Sequence, residues 1–264
     1  MNKISTPMRV YLGVIAFFML APVLVIVAVA FTPGDFVTFP PRSLSLRWFE
    51  RVLTDPSFMG ALINSIRVGA CATIFASMLA VPATIVLVRY RPPGARQLQM
   101  FMLSPLSLPT IILAIGLLFL NAQIGVGNAF IALIVGHTVI VVPYIMRTVF
   151  AVYSTCDPEI ENAAALLGAN TWRTFLHVTL PMIKPGLVAG AIFAFLMSFD
   201  EVSVALLLSD TTTSTLPVTI LSYLVYNHDP AVAAISTVQI AIAVAILMVL
   251  ERYFGVRRLM FSSR

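Results

Sequence analysis

The chain has 264 residues, a net charge of +5, and a composition that is 59% hydrophobic and only 10% charged. A soluble domain is about half apolar and a quarter charged, and the mean hydropathy of +0.98 extends over the whole chain, so residues 1–264 read as one all-α, membrane-embedded domain with no separate soluble part. The basic residues form no block, which excludes nucleic acid; Cys71 and Cys156 are too far apart for a disulfide framework, and His137, His177 and His228 lack the spacing of a metal or cofactor site.

Crossing a bilayer core takes about 20 apolar residues of helix. Six segments provide them, near 10–31, 61–88, 98–120, 129–149, 186–209 and 231–253. The first contains Ala28-Val29-Ala30, the pattern of a signal-peptide cleavage site. Its apolar run exceeds the roughly 7–15 residues of a signal peptide, so it reads as a retained span. In the following loop, Leu44, Leu46, Trp48, Phe49, Val52 and Leu53 alternate with Arg47, Glu50 and Arg51. This pattern fits a short interfacial helix with Trp48 at headgroup depth, and equally a loop packed over the bundle.

Span two carries Arg67, and span four carries His137, which reads as a packed, hydrogen-bonded histidine. The 150–185 connection is the least generic segment. Asp157 is a good N-cap and Pro158 suits a first helical position, while Glu159 and Glu161 lie at the positive end of that helix's dipole. Gly168 is placed to end this helix in a left-handed turn, Asn170 or Thr171 to cap the next, and Pro181 and Pro185 to punctuate the approach to span five. Ala163, Ala164 and Leu167 give the first short helix a small apolar face that another backbone can approach.

Span five carries Asp200 and Glu201, far from its start at 186. A carboxylate at such depth needs water or a partner. An ion pair with Arg67 is one reading and a pathway-facing group is the other, and the two adjacent side chains point far enough apart for both to hold.

Orientation follows from the basic residues, which resist translocation. With the N-terminus inside, Lys3, Arg9, Arg89, Arg91, Arg96, Arg147, Arg173, Lys184, Arg252, Arg257, Arg258 and Arg264 are cytoplasmic, against Arg42, Arg47 and Arg51 outside. Both termini and the 150–185 loop are therefore expected in the cytoplasm.

The 157–185 loop resembles that of the binding-protein-dependent ABC importer permeases. Their signature is Glu-Ala-Ala, three residues, Gly, nine residues, an aliphatic residue, any residue, and Leu-Pro. The matching positions here are Asn162, Ala163, Ala164, Gly168, Val178, Leu180 and Pro181. Asn162 stands where the family has Glu, and Glu161 directly precedes it. The resemblance runs over roughly 60–253, through Asn64-Ser65, Ser104–Pro109, Ser198-Phe199-Asp200-Glu201 and Thr215-Leu216-Pro217. These last features are similar to the spermidine/putrescine branch, which has an acidic pair at the corresponding place in span five.

The resemblance implies a type I importer permease in a bacterial inner membrane that carries a small polar solute, a polyamine or alternatively 2-aminoethylphosphonate or another amino compound. No phosphate-binding loop Gly-x-x-x-x-Gly-Lys-Ser/Thr occurs in the chain. The implied partners are therefore a separate cytosolic ABC ATPase dimer, a second permease subunit, identical or homologous, and a periplasmic solute-binding protein, which loops 32–60 and 210–230 would meet. ATPase closure would move the 157–177 helix pair as a lever. A secondary transporter is the rival from another class, and it commonly has Gly/Pro-broken helices in matching halves, which the sequence does not show.

Overall fold

The computed structural model describes residues 6–254, so Lys3, Arg257, Arg258 and Arg264 of the orientation argument lie outside the described range. Among the described residues every regular element is helical: α1 (Thr6–Ala30), α2 (Arg47–Thr54), α3 (Pro56–Ile85), α4 (Ala95–Leu103), α5 (Thr110–Ile124), α6 (Ala129–Tyr153), α7 (Glu159–Leu166), α8 (Thr171–Thr174), α9 (Leu180–Phe199), α10 (Ser203–Leu208), α11 (Leu216–Tyr226) and α12 (Ala231–Phe254). Five helical stretches are long and apolar enough to cross a membrane: Pro7–Ala30, Pro56–Tyr90, Ala129–Tyr153, Thr171–Phe199 and Ala231–Val249. Counted as one, a bent pair, Ala95–Ser107 and Thr110–Ile124, makes a sixth span.

Two spans differ from the sequence expectation. The segment expected as a single span at 98–120 bends by 109°. Pro109 has no N–H to donate and forces the preceding Leu108 into an extended conformation, with φ −98° and ψ 140°. The helix expected at 186–209 instead stops at Phe199 and resumes at Ser203. Interrupted helices are thus a feature of this fold; Pro109 was the available sequence signal for the first break.

The chain forms two compact units. One comprises the residues up to Gly60 and Thr219–Val244. Here α2 buries Trp48 and Val52. Trp48 is 1% exposed, and its indole N–H donates to Gly34 O at 3.1 Å. The short helix of the first reading is observed, and its Trp48 ring packs inward, as in the second, rather than standing exposed. Arg47 and Arg51 lie 5.0 and 5.2 Å from the Trp48 ring centroid, and Arg47 pairs with Asp35 at 2.9 Å.

The other unit comprises Ala61–Val218 and the segment from Ala245 onward. Its main packing is α6 against α9. On α3, Val68, Ala72, Ala76 and Ala80 are all fully buried. Their spacing of four aligns small residues along one helix face, which lets neighbouring backbones approach closely, as membrane helices require in the absence of a hydrophobic drive between them. Gly186 and Gly190 do the same on α9. A Cβ at Gly186 would lie 2.6 Å from Thr148 O, and one at Gly190 would lie 2.8 Å from Ile145 Cα and collide with the Thr148 hydroxyl.

Candidate functional site

The 150–185 segment folds as a helix and a turn leading into a longer helix. Asp157 Oδ1 accepts from Glu159 N at 2.9 Å at the start of α7. Gly168, with φ +88°, ends that helix in the left-handed region, where glycine avoids a Cβ clash. Asn170 Oδ1 caps α8 by accepting from Arg173 N at 2.8 Å. Pro181 and Pro185, expected to punctuate the chain, do not interrupt it. Thr171–Phe199 is one continuous helical stretch containing a π-turn at Phe175–Thr179.

A polar cluster ties this loop to two spans. Arg89, in a π-turn that follows α3, donates from Nε to Glu161 Oε2 at 2.7 Å and to Tyr153 Oη at 3.1 Å. Its Nη1 and Nη2 each reach Cys156 O at 3.3 Å. Tyr153 Oη donates to Glu161 Oε1 at 2.8 Å, and the Thr179 hydroxyl donates to the same oxygen. The guanidinium carbon lies 4.3 Å from the Tyr153 ring centroid. Burial acts to raise the Glu161 carboxyl, but the hydrogen bonds from Thr179, Arg89 and Tyr153 and the Arg89 charge outweigh it, so Glu161 titrates below its ordinary value. The cluster borders a cleft of about 410 Å³ that is also lined by Asn162, Ala165, Thr171 and Phe175.

The signature positions are thereby sorted by environment. Asn162 is exposed and reaches only Glu159, at 3.2 Å. Glu161, one residue earlier, is the acidic anchor of the loop. Ala163 is exposed and Ala164 half-buried on α7, while Val178 and Leu180 are half-buried and Pro181 is exposed. Sequence reasoning used Arg89 only for topology and missed Tyr153 and Thr179 altogether. A tyrosine and a threonine at span ends facing a basic residue were the available signal. It also missed how exposed the rim of the loop is, with Leu166 89%, Leu167 90% and Trp172 65% accessible.

The break in span five holds the acidic pair. Asp200 closes α9, its N–H donating to Leu196 O at 3.2 Å, and its side chain is exposed. Glu201 turns back on the chain. Its Oε1 accepts from Ser203 N at 2.7 Å and Val204 N at 3.1 Å, satisfying the first free amides of α10. Arg67 is exposed on α3; of the two carboxylates that sequence reasoning offered it, Glu201 is bonded to backbone amides. Ser203 Oγ lies 3.3 Å from Thr110 Oγ1, at the bend of span three. The two interruptions therefore meet. On the far side of the break, Asn64 Nδ2 donates to Thr212 O and Ser214 O at 3.0 and 3.1 Å, and Ser65 Oγ accepts from Leu216 N at 2.8 Å. These bonds fix the turn in which Asp210 accepts from Thr212 and Thr213, which hold its carboxyl down at about 2.

The sequence profile of the binding-protein-dependent transport system inner membrane component matches residues 72–259. The chain is 28% identical over 242 residues to the putrescine transport system permease protein PotI of Escherichia coli (strain K12), covering 89% of this chain and 86% of that one. It is 31% identical over 234 residues to the molybdenum transport system permease protein ModB of Mycobacterium tuberculosis (strain ATCC 25618 / H37Rv), covering 81% and 88%. Its fold is similar to that of a chain in the crystal structure of a bacterial ABC transporter involved in the import of the acidic polysaccharide alginate. That likeness has a TM-score of 0.71 at 19% identity and covers 96% of this chain and 100% of the other. With the helical architecture and the profile match together, the chain belongs to the family of binding-protein-dependent transport system inner membrane components, the permeases of type I ABC importers.

Proposed function

We propose that this permease imports a small organic cation, a polyamine of the putrescine class, released to it by a periplasmic binding protein. The observation that carries this reading is the acidic pair at the break of span five. A cation leaving its hydration shell needs fixed negative charge nearby, and the exposed Asp200 can offer it while Glu201 holds the break in shape. The similarity to PotI supports the cargo class.

In this reading residues 1–264 act as one permease domain in a bacterial inner membrane, beside a second permease subunit, with both termini cytoplasmic. The α7–α8 turn docks on a cytosolic ABC ATPase dimer, presenting Leu166, Leu167 and Trp172. The Glu161–Arg89–Tyr153 cluster then carries the movement of the loop into the ends of α3 and α6. Loops 32–60 and 210–230 face the binding protein.

Two experiments test the proposal. A cysteine introduced at Thr38 should react with an impermeant thiol reagent from the periplasm, and one at Thr171 only after permeabilisation; both positions are exposed. The reverse pattern overturns the orientation. For the cargo, Asp200→Asn removes a charge without changing size. Loss of about 1.5–3 kcal/mol, the worth of a hydrogen bond to a charged group, corresponds to a rise of about 10–150-fold in the KM for putrescine uptake, with the ATPase still copurifying. Wild-type uptake in the double Asp200→Asn, Glu201→Gln variant excludes a direct cargo role. Uptake of molybdate or 2-aminoethylphosphonate in place of putrescine would reassign the substrate.

A further inference from the structure

Two consecutive residues of α6 touch opposite sides of the break in span five. Gly136 lies against α10: a Cβ there would lie 2.8 Å from both Val204 Cγ1 and Leu208 Cδ1. His137, 1% exposed, shares a 2.7 Å hydrogen bond between its Nδ1 and Ser198 Oγ, two residues before Asp200 on α9. One helical step thus contacts the half-helix before the break and the half-helix after it. The other ring nitrogen, His137 Nε2, is buried and has no hydrogen-bond partner among the described residues. A buried polar atom left unpaired is costly, and a leucine would fill the same space without that cost. The imidazole is therefore not explained by packing in this conformation.

We propose that Gly136–His137 is a splint across the interrupted span, and that His137 is a positioning residue for transport. Its bond to Ser198 sets the direction in which the last turn of α9 delivers Asp200. Gly136 lets α10 approach closely enough for the second half to be held by the same turn of α6. Glu201, capping α10 from within the break, and the Thr110–Ser203 contact complete the frame. Nε2 is the point at which this frame can take a further partner, a water or a polar group. The inference rests on the 198–203 segment lining the translocation pathway; it does not depend on which solute passes.

The test uses the assembled transporter in proteoliposomes, with Cys71 and Cys156 replaced by serine and a reporter cysteine at position 200. An impermeant maleimide reads the exposure of position 200, and putrescine uptake is measured in parallel in chains retaining Asp200. His137→Leu and Ser198→Ala should each change the labelling rate several-fold, and the double variant should change it no further, since both remove the same bond. His137→Asn keeps a polar atom near the Nδ1 position and should restore the wild-type rate. In uptake, His137→Leu should raise KM more than it lowers the maximal rate, a split that mere loss of folded transporter would not produce. Unchanged labelling in His137→Leu, or additive effects in the double variant, overturns the splint. Should His137→Leu fail to assemble, Ser198→Ala, which removes a single hydroxyl, carries the same comparison alone. Wild-type chains that import no putrescine while the labelling cycle holds overturn only the choice of cargo.

Discussion

Arg89→Ala is expected to detach the α7 loop from the membrane spans. The substitution leaves the Glu161 carboxylate with Tyr153 and Thr179 but without a positive charge, in a site where the two side chains are only 17% and 15% exposed. Removing one partner of a fully buried pair costs about 3–5 kcal/mol. Because water still reaches this pair, the loss of a charged hydrogen bond, about 1.5–3 kcal/mol, is the better guide. The purified variant should melt earlier in detergent, and transport should fail with the chain still inserted in the membrane. Glu161→Gln should cost less, since the amide can still accept from Tyr153 and Thr179 while Arg89 retains Tyr153 and Cys156 O.

Asn162→Ala is the contrasting case. Asn162 is exposed and bonded only to Glu159, so its removal should stay within about 0.5 kcal/mol. A large loss at Asn162 with none at Glu161 would show that the acidic anchor has not moved by one residue. The pH dependence has a definite sign. The Glu161 carboxyl is held below its ordinary value, so its contribution is complete above the unfolded value of about 4.3 and fades as pH falls through the folded one. Wild type and Arg89→Ala should therefore differ fully at neutral pH and converge in acid.

The local signals of the 157–174 loop were legible because they are local. The left-handed turn at Gly168 and the cap at Asn170 follow from residue chemistry within a few positions. The partner of Glu161 was not, because Arg89 lies 72 residues away in sequence and only the tertiary fold brings it near. The breaks at Pro109 and Asp200 were missed for a different reason. In a span apolar on every face, hydrophobic periodicity carries no information about where a helix ends. Glu201 looked like a charge in need of a counter-ion. It is satisfied by two backbone amides that exist only because the helix stops beside it. Trp48 shows the same limit, since the pattern of an interfacial helix and that of a packed one are identical until Gly34 O is seen to accept the indole N–H.

The lever proposed for the loop is only as stiff as the helices beneath it, and here two glycines decide. Gly186 and Gly190 are one helical turn apart on α9 and face Ile145 and Thr148 of α6, the small-xxx-small arrangement that brings membrane helices close together. Because α6 leads into the loop and α9 leaves it, their contact makes both ends of the loop move as one body. Gly190→Leu places its first carbon against the Ile145 backbone at 2.8 Å and against the Thr148 hydroxyl. A backbone cannot yield as a side-chain end can. Relief requires the helices to separate, which forfeits contacts along their shared face as well as the usual overpacking cost of about 1–3 kcal/mol. Loss of assembled transporter is expected, seen as failure to copurify with its partners and a collapse of the monodisperse peak in detergent. Thr148→Gly alongside Gly190→Ala should recover part of the loss, since the hydroxyl in the way is then gone and only the Ile145 backbone remains. Gly116→Ala provides the opposite test within the same unit: among the described residues nothing lies within 4 Å of the place its methyl group would take, so α5 should accept the methyl without loss. Equal tolerance at Gly190 and Gly116 would mean that α6 and α9 are not held in close contact, and would remove the rigid base on which the loop acts.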